Sequence, residues 1–262
     1  MIRGAVGDTG IAYRVDGPAD APVVVFINSL GTDHRMWDSQ LARFSERFRM
    51  LRYESNGHGT SDRRQGSVTI ERLGRDLLLL LDHLAIEQAH LCGCSLGGMI
   101  TLWTAACYPA RVQRAVVANS GARIGTTEGW DARIAAVRQG GMAAVRGLTL
   151  GRFFSERFRS HHAGTVRQIA EILDDVDPEG YVAACQALRD ADLRPLVSSI
   201  RIPTLIVAGE MDVATPPALA EELHAAIPES ELVVIAEAAH LSNIERPDVF
   251  NKRVLGFLAD PA

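Results

Sequence analysis

A serine flanked by glycines is the residue whose surroundings best suit covalent chemistry. The sequence Gly-Cys-Ser-Leu-Gly occupies residues 93–97 and places Ser95 at its centre. An apolar stretch precedes it and a helical pattern over residues 96–108 follows it, which predicts a strand, a sharp turn and a helix. Glycines suit such a turn because the tight backbone leaves no room for side chains beside the nucleophile. Ser95 is therefore our candidate nucleophile; the alternative is a capping serine in an ordinary glycine-rich turn.

A serine hydroxyl needs a general base, and histidine has the side chain whose pKa suits that task near neutral pH. The chain contains eight histidines. His240 stands apart because it follows the strand-like residues 232–235 by a short loop and precedes the last helical pattern. This place also agrees with the chain order serine, acid, histidine. We predict that His240 is the base; the alternative is a histidine in a surface loop.

A carboxylate beside the histidine orients its ring and stabilises its charged form. Asp212 follows the apolar stretch at residues 204–208, at the carboxyl end of a predicted strand. Open α/β sheets place their sites at that edge. Glu210 lies in the same loop and is the local competitor. We predict Asp212, because its distance from the strand matches the usual position of the acid; an exposed loop acid is the alternative for either residue.

Two backbone N–H groups are expected to stabilise the oxyanion that forms during acyl transfer. Leu96 directly follows the nucleophile, at the start of a predicted helix, and supplies one of them. We assign the other to Leu30 in the Asn-Ser-Leu-Gly loop at residues 28–31, for which an ordinary strand-to-loop turn is the alternative. A second glycine-rich turn, at residues 56–61, lacks the features of a phosphate-binding loop. We interpret its His58 as a residue that holds the turn.

Short apolar segments alternate with amphipathic helical patterns along most of the chain. Residues 23–27, 115–118 and 204–208 are apolar runs typical of strands that are buried on both faces of a parallel sheet. Apolar residues recur at helical spacing over residues 70–84 and 250–258. This alternation predicts an α/β fold with a mostly parallel central sheet flanked by helices.

The middle of the chain lacks this alternation. Residues 122–195 show helical patterns only, interrupted by glycine- and proline-containing turns. The strand pattern resumes shortly after residue 200. We therefore expect a core formed by residues 1–121 and 200–262, and a helical lid, or cap, formed by residues 122–199.

The composition favours a small-molecule partner. With 47% hydrophobic residues, 23% charged residues and a net charge of −5 without a basic block, the chain is typical of a globular protein that binds neither nucleic acid nor an anionic membrane. Its apolar runs, such as residues 77–81, are far shorter than the roughly 20 residues of a membrane span, and the first residues lack a secretory signal. Four cysteines in apolar segments, without metal or disulfide spacing, are interpreted as reduced core residues of a cytoplasmic protein.

Together these segments resemble the 3-oxoadipate enol-lactonases, which are α/β-hydrolases of the β-ketoadipate pathway for degrading aromatic compounds. The similarity extends over nearly the whole chain. The Asn-Ser-Leu-Gly loop and the Glu-Gly-Trp segment distinguish this family from general esterases. The matching segments are Phe-Ile-Asn-Ser-Leu-Gly-Thr-Asp at 26–33, Met-Trp at 36–37, the nucleophile segment at 93–99, residues 118–125, Glu-Gly-Trp at 128–130, Ala-Arg-Ile at 132–134, Asp-Pro-Glu-Gly-Tyr at 177–181 and Ala-Ala-His-Leu-Ser-Asn at 238–243.

The resemblance implies the α/β-hydrolase fold with a helical lid, and a serine hydrolase that opens the lactone ring of 3-oxoadipate enol-lactone through an acyl-enzyme on Ser95. Such an enzyme requires no cofactor and no metal. Its partner is a small lactone rather than nucleic acid or a membrane, and a homo-oligomer remains open. Because the substrate carries a carboxylate, the lid should offer it a cation or several donors. Trp130 and Arg133 are our candidates; the alternatives are a core tryptophan and a surface arginine.

Other activities are compatible with the same catalytic residues. The three residues alone do not distinguish an enol-lactonase from a carboxylesterase, a carbon–carbon bond hydrolase of ring-cleavage products or a perhydrolase. Haloalkane dehalogenases and epoxide hydrolases are excluded because their nucleophile is a carboxylate, whereas this turn carries Ser95. A non-catalytic receptor for a small ligand is the alternative from a different class. The presence of Ser95, Asp212 and His240 together argues against it.

Overall fold

Eight strands form one sheet within the residues that the computed structural model describes, which are 1–6, 9–64 and 66–259. The strands are β1 (Ile2–Val6), β2 (Thr9–Asp16), β3 (Val23–Ile27), β4 (Arg49–Tyr53), β5 (Ala89–Cys94), β6 (Val112–Ala118), β7 (Thr204–Gly209) and β8 (Glu231–Ile235). They lie in the order β1-β2-β4-β3-β5-β6-β7-β8. The pairs β1/β2 and β2/β4 are antiparallel, and the other pairs are parallel. The prediction of a mostly parallel sheet is confirmed.

Helices connect the strands and cover the sheet. They are α1 (Asp38–Phe44), α2 (Ile70–His83), α3 (Leu96–Cys107), α4 (Thr127–Gly140), α5 (Ala143–Phe153), α6 (Glu156–His161), α7 (Ala163–Asp174), α8 (Pro178–Asp190), α9 (Arg194–Val197), α10 (Pro217–Ala226), α11 (Ser242–Glu245) and α12 (Pro247–Ala259). Short 3₁₀ helices occur at His34–Trp37 and Pro109–Arg111. The two long helices expected over residues 70–84 and 250–258 correspond to α2 and α12.

Two hydrophobic cores lie on opposite faces of the sheet. Successive side chains of a strand point to opposite faces, so an entirely apolar strand contributes to both cores. In β3, Val25 and Ile27 pack with Leu77 of α2 in one core. Phe26 packs in the other core with Phe44 of α1, and this core also includes α12. The central strands are therefore buried on both faces, as their apolar sequences predict.

The sequence patterns predict the central strands better than those at the antiparallel end. β3 has the predicted bounds, whereas β6 and β7 each extend beyond the predicted apolar runs. β1, β2 and β4 are not predicted by the patterns, because their sequences mix charged and apolar residues.

A buried arginine explains the mixed sequence of β4. The Arg52 side chain has no solvent exposure. Its guanidinium donates to Asp16 Oδ2 and to Asp38 Oδ1, both at 2.7 Å. A buried charge is tolerated when it is paired and hydrogen-bonded in this way. Because these partners are distant in sequence, a local hydrophobicity pattern does not identify β4 as a strand.

The helices α4 to α9 lie between β6 and β7, in the segment that we call the cap (residues 122–199). The two ends of this segment meet where Leu193 N–H donates to Ala122 O at 2.8 Å. The cap touches the core at a contact between two glycines, since a Cβ atom added to Gly57 would lie 2.6 Å from Gly180 Cα. The cap therefore leaves and rejoins the core at the same place, over the carboxyl edge of the sheet.

The cysteines differ in one respect from the prediction. Cys92, Cys94 and Cys185 are buried thiols, and the first two pack in the same core because they are two residues apart on β5. Cys107 is exposed, so its predicted core position is wrong. It ends α3, where the helix leaves the sheet.

Within the part of the chain that the structure describes, no helix is both long enough and apolar enough to cross a membrane.

Candidate active site

Ser95 occupies a strained turn between β5 and α3. Its backbone has φ of +56° and ψ of −112°, a conformation that residues with a side chain rarely adopt. A Cβ atom added to Gly93 would lie 2.0 Å from Gly97 O, and one added to Gly97 would lie 2.1 Å from Ile27 O. The close backbone contacts therefore require both glycines of the motif.

The backbone of Ser95 is anchored while its hydroxyl faces a cavity. Its N–H donates to Ala118 O at 3.0 Å, and its carbonyl accepts from the Ser120 hydroxyl at 2.7 Å. Among the described residues, none forms a hydrogen bond with the Ser95 hydroxyl. His240 lines the same cavity. The Ser95 oxygen is thus available to a ligand, and an arrangement that tightens only when substrate is bound is common in free enzymes.

The structure brings His240 and Asp212 together. They lie in the loops after β8 and β7, and Nδ1 of the His240 ring is 2.8 Å from Asp212 Oδ2. Both side chains are almost fully buried. An ionised carboxylate only accepts hydrogen bonds, so the ring donates from Nδ1 and leaves Nε2 as its basic nitrogen. Phe153 of α5 stacks on the ring, with the centroids 5.9 Å apart and the planes 13° apart.

Asp212 accepts hydrogen bonds on both oxygens. Oδ1 accepts from the N–H groups of Ala214 at 2.8 Å and Thr215 at 2.9 Å, and Oδ2 accepts from the Thr215 hydroxyl at 2.7 Å. Burial raises the pKa of Asp212, but the charge of His240 and hydrogen bonds from His240, Thr215 and Asn119 outweigh it and lower the pKa to about 2. The carboxylate is therefore ionised at neutral pH.

The competing acid, Glu210, points away from the histidine. Its Oε2 accepts from Glu237 N–H at 2.9 Å, and the residue is exposed. The two acids diverge just after Gly209, where an added Cβ atom would lie 2.2 Å from Ala239 O. The geometry thus pairs Asp212 with His240, while Glu210 stabilises the loop that leads to His240.

Asn119 joins the acid loop to the histidine loop, and sequence reasoning did not identify it. Its Nδ2 donates to Asp212 Oδ2 at 3.0 Å and to Ala239 O at 3.2 Å. Its Oδ1 accepts from the Ser242 hydroxyl at 2.6 Å. The residue has φ of +46° and directly follows β6. A polar residue directly after the apolar run at residues 115–118, at the carboxyl end of a predicted buried strand, is the sequence signal that could have identified this role.

The two N–H groups predicted for the oxyanion have no acceptor in the part of the chain that the structure describes. Within the described residues, no group accepts a hydrogen bond from Leu30 N–H. Leu96 N–H lies in the first turn of α3, where a helix provides no acceptor for its own N–H groups. Leu30 also lines the cavity with Ser95. Both donors are therefore available to a negatively charged oxygen.

His58 holds the loop that carries Leu30. Its buried ring accepts from Gly31 N–H at Nε2, over 3.1 Å, and donates from Nδ1 to Asn56 O, also over 3.1 Å. Burial lowers the pKa of His58, which keeps the ring neutral and able to accept at Nε2. His58 therefore holds its own turn, as predicted, and also the neighbouring loop.

A cavity of about 220 Å³ lies between the cap and the carboxyl edge of the sheet. Ser95, His240 and Leu30 line it from the core. Trp130 and Arg133, the two predicted substrate-binding residues, line it from α4 of the cap and are half-buried. The structure thus places Ser95, His240, Leu30 and the two predicted substrate-binding residues around one space, and Asp212 contacts this group through its hydrogen bond with His240.

A family model described as the alpha/beta hydrolase fold matches residues 22–247, which is most of the chain. The chain belongs to the α/β-hydrolase family. In this hydrolase, the strand, turn and helix around Ser95 correspond to the turn at which the family carries its nucleophile.

Relatives of this α/β-hydrolase cover nearly its whole length. The 3-oxoadipate enol-lactonase 1 of Acinetobacter baylyi is 41% identical over 98% of this chain and 96% of the relative. The 3-oxoadipate enol-lactonase 2 of the same organism is 38% identical over 94% of this chain and 92% of the relative. The crystal structure of the enol-lactonase from Burkholderia xenovorans LB400 is 40% identical, covers 99% of this chain and 100% of its own, and has a TM-score of 0.97. The predicted resemblance to the 3-oxoadipate enol-lactonases is confirmed.

Two contacts connect the cap of this hydrolase to its histidine loop. Leu241 N–H donates to Phe153 O at 3.0 Å. The buried carboxylate of Glu245 accepts from Ser155 N–H in the cap at 2.5 Å and from Ala239 N–H at 3.2 Å. Burial raises the pKa of Glu245, although these two hydrogen bonds oppose the shift. The position of His240 therefore depends on the end of α5.

One group of potential metal ligands in the hydrolase lies outside this cavity. Donor atoms of Asp33, His34 and Glu54 lie within 4.8 Å of one another. Protein groups already engage them: Asp33 pairs with Arg35 through two carboxylate oxygens, and Glu54 contacts His34 Nδ1 at 2.6 Å and accepts from Thr60 N–H at 2.7 Å. We assign no metal to this group, because its carboxylates already have partners.

Proposed function

We propose that this hydrolase opens the lactone ring of 3-oxoadipate enol-lactone to give 3-oxoadipate, through an acyl-enzyme on Ser95. The observation that carries the proposal is that one cavity is lined by both Ser95 and His240, and that His240 is hydrogen-bonded to Asp212. The substrate is inferred from relatives that are named 3-oxoadipate enol-lactonases and match over nearly their whole length.

The first half of the proposed reaction acylates the serine. Ser95 Oγ attacks the lactone carbonyl carbon while His240 Nε2 takes the hydroxyl proton, and Asp212 stabilises the resulting imidazolium. The carbonyl electron pair moves to oxygen, and the N–H groups of Leu30 and Leu96 bind this oxyanion. When the oxyanion collapses, the ring C–O bond breaks. The leaving oxygen takes the proton from His240 as an enol, which then tautomerises to the ketone.

The second half releases the product. A water molecule loses a proton to His240 and attacks the acyl carbon of the ester on Ser95. Collapse of the second oxyanion returns the proton to Ser95 Oγ and frees the new carboxylate. Protein groups carry every proton transfer and bind both oxyanions, and no atom is oxidised or reduced, so the proposed mechanism uses no cofactor and no metal.

We propose that Trp130 and Arg133 contact the substrate from the cap. The Arg133 guanidinium lies 5.8 Å from the centre of the Trp130 ring, so the two side chains form one wall of the cavity. Trp130 is held there because its Nε1 donates to Ile124 O at 2.7 Å. An aromatic face beside a cation suits a flat, anionic ring such as this enol-lactone.

We retain the division of the chain into a core of residues 1–121 and 200–262 and a lid of residues 122–199. In this proposal the core supplies the catalytic groups and the lid supplies substrate contacts. The partner is a small lactone, without a role for nucleic acid or a membrane. We propose the cytoplasm as the compartment, because four unpaired thiols suit a reducing environment.

Hydrolysis of freshly generated 3-oxoadipate enol-lactone tests the proposal, with the loss of its ultraviolet absorbance as the signal. We expect rapid turnover by the wild-type protein. Ser95→Ala should lower kcat by about 10⁴-fold or more, because it removes the nucleophile. A wild-type protein that leaves the lactone intact would exclude the proposed substrate.

A panel of substrates separates the rival activities. Cleavage of simple aryl esters without lactone hydrolysis would identify a carboxylesterase, and cleavage of ring-fission diketones would identify a carbon–carbon bond hydrolase. A folded protein that cleaves none of these, and whose Ser95 does not react with a fluorophosphonate probe, would be a ligand receptor.

A further inference from the structure

The cap wall of the cavity carries two guanidinium groups and no carboxylate. Arg133 of α4 and Arg152 of α5 both line the cavity. Within the described residues, no aspartate or glutamate lines it. The cavity is therefore cationic on the side that faces away from the sheet.

Arg133 is already held by neutral partners. Its Nε donates to the Tyr181 hydroxyl at 2.7 Å, and its Nη2 donates to the Thr149 hydroxyl at 2.6 Å. Its guanidinium also lies over the rings of Trp130 and Tyr181, at 5.8 and 5.5 Å from their centres. These contacts fix Arg133 between α4, α5 and α8. Its Nη1 remains available to a ligand, and its neutral partners leave its positive charge in place.

Arg152 has no such partners. The side chain is half-buried, and within the described residues no group accepts a hydrogen bond from its guanidinium or forms an ion pair with it. Burial, followed by the positive charge of Arg133, lowers the pKa of Arg152. Burying an unpaired charge costs free energy. An anion bound in the cavity would satisfy the donors of Arg152 and offset this cost.

Arg152 lines the same cavity as Ser95 and His240. It directly precedes Phe153, which stacks on the His240 ring, and both residues line the cavity with Ser95. Arg152 lies in the last turn of α5, where the helix dipole favours a positive charge whichever way the side chain points. That general preference does not explain why this side chain faces the cavity rather than the solvent.

We propose that Arg152 binds the carboxylate of an anionic lactone and selects such lactones over neutral ones. This inference rests on the proposed function, because it concerns the same cavity and the same reaction. The planar guanidinium of Arg152 can bind a carboxylate through two parallel hydrogen bonds. Arg133 holds the wall in place and adds its charge.

Two enol-lactones that differ only in charge test this proposal. One is 3-oxoadipate enol-lactone; the other is α-angelica lactone, which has the same ring with a methyl group in place of the carboxymethyl group. In Arg152→Gln, the ratio of kcat/KM for the anionic lactone to that for the neutral lactone should fall by about 10- to 100-fold, mainly through the KM of the anionic lactone. Arg152→Lys should restore part of this ratio, because lysine restores the positive charge but not the two parallel hydrogen-bond donors of the guanidinium.

Arg146→Gln is the matched control. Arg146 lies on the same helix but is paired with Asp174 outside the cavity, at 3.0 Å. Its variant should keep the wild-type ratio. A wild-type ratio in Arg152→Gln, in protein whose Ser95 still reacts with a fluorophosphonate, would overturn the proposal.

A different measurement tests Arg152 if the proposed function is wrong. If the wild-type protein cleaves a neutral aryl ester but not 3-oxoadipate enol-lactone, the proposed substrate is wrong. Competitive inhibition of the ester reaction by adipate then decides the role of Arg152. An inhibition constant that rises by about tenfold or more in Arg152→Gln supports an anion site at Arg152, and an unchanged constant overturns it.

Discussion

The low pKa of Asp212 couples the stability of the protein to pH. The folded pKa of about 2 lies below the value of about 3.9 expected in the unfolded chain. The carboxylate therefore contributes its full stabilisation above pH of about 4, and the contribution is lost as the pH falls towards 2. We expect the wild-type protein to lose about 2 kcal/mol of unfolding free energy over this range relative to Asp212→Asn. Urea unfolding at a series of pH values measures this, and parallel curves for the two proteins would refute it.

His58 should influence catalysis without touching the substrate. His58→Phe removes the acceptor of Gly31 N–H and so loosens the loop that presents Leu30. We expect kcat to fall by about tenfold or more, with a smaller change in KM, because the lost contact concerns the oxyanion rather than substrate binding. The exposed His161 provides the control, since His161→Phe alters no group near the cavity. Steady-state kinetics would contradict this role if only KM changed.

The roles of individual residues were predictable to different degrees. Ser95, Asp212 and His240 stand out because each lies just after a strand-like segment, in the chain order of the family. Asn119 occupies an equivalent position, yet an asparagine after a strand also fits an ordinary turn. The role of Phe153 depends on stacking between residues that are far apart in sequence, and no local pattern reports such a contact.

At the scale of the elements, the first turn of α3 tolerates no side chain at Gly97. Gly97→Ala would place a methyl group 2.1 Å from Ile27 O, so α3 must move away from β3. We expect a loss of about 3 kcal/mol or more in unfolding free energy and a loss of activity. Chemical denaturation and the ester assay measure both effects.

Gly147→Ala is the matched control, because an added Cβ atom at this position of α5 meets no atom within 4 Å. Alanine is the better helix former, so this variant should gain about 0.5–1 kcal/mol. Equal stability of the two alanine variants would show that the turn at Gly97 adapts more easily than its geometry indicates.

The strands were predictable where burial makes their sequences uniform. β3 and β7 are buried on both faces and are almost entirely apolar. β2 and β4 pair antiparallel with each other, and an ion pair between Arg52 of β4 and Asp16 of β2 neutralises two of their charged residues. Such pairs arise from tertiary structure, so hydrophobic periodicity alone does not identify these strands.

At the scale of the whole molecule, two carboxylates link the cap to the histidine loop. Glu245 is buried and accepts from Ser155 N–H and Ala239 N–H. Glu237 is exposed and pairs with Arg157 of the cap and with Arg246. An amide in place of the Glu245 carboxylate has only one acceptor oxygen for these two donors. We expect Glu245→Gln to lower the unfolding free energy by about 1–3 kcal/mol and kcat by about tenfold.

Glu237→Gln is the comparison variant, since exposed ion pairs contribute little to stability. Its kcat and its urea midpoint should stay close to the wild-type values. If the two variants lost the same activity, the buried link would have no special role in positioning His240.

The succession of helices α4 to α9 without an intervening strand was predictable from the long run of helical periodicity over residues 122–195. The contacts of the cap with the core were not, because they consist of single hydrogen bonds and close approaches between distant residues. The contact of Gly57 with Gly180 is an example, since either glycine alone suits an ordinary turn.

The hydrogen bond between Phe153 O and Leu241 N–H limits how this cap can diverge in evolution. Trp130, Arg133 and Leu188 line the cavity from α4 and α8, and in the described part of the chain they form no hydrogen bond with the histidine loop, so exchanging them would reshape the cavity without removing a support of that loop. The end of α5 also supports the histidine loop through its backbone and through the Phe153 ring. A cap transplanted from another member of the family must therefore reproduce this segment, even when its remaining helices are replaced.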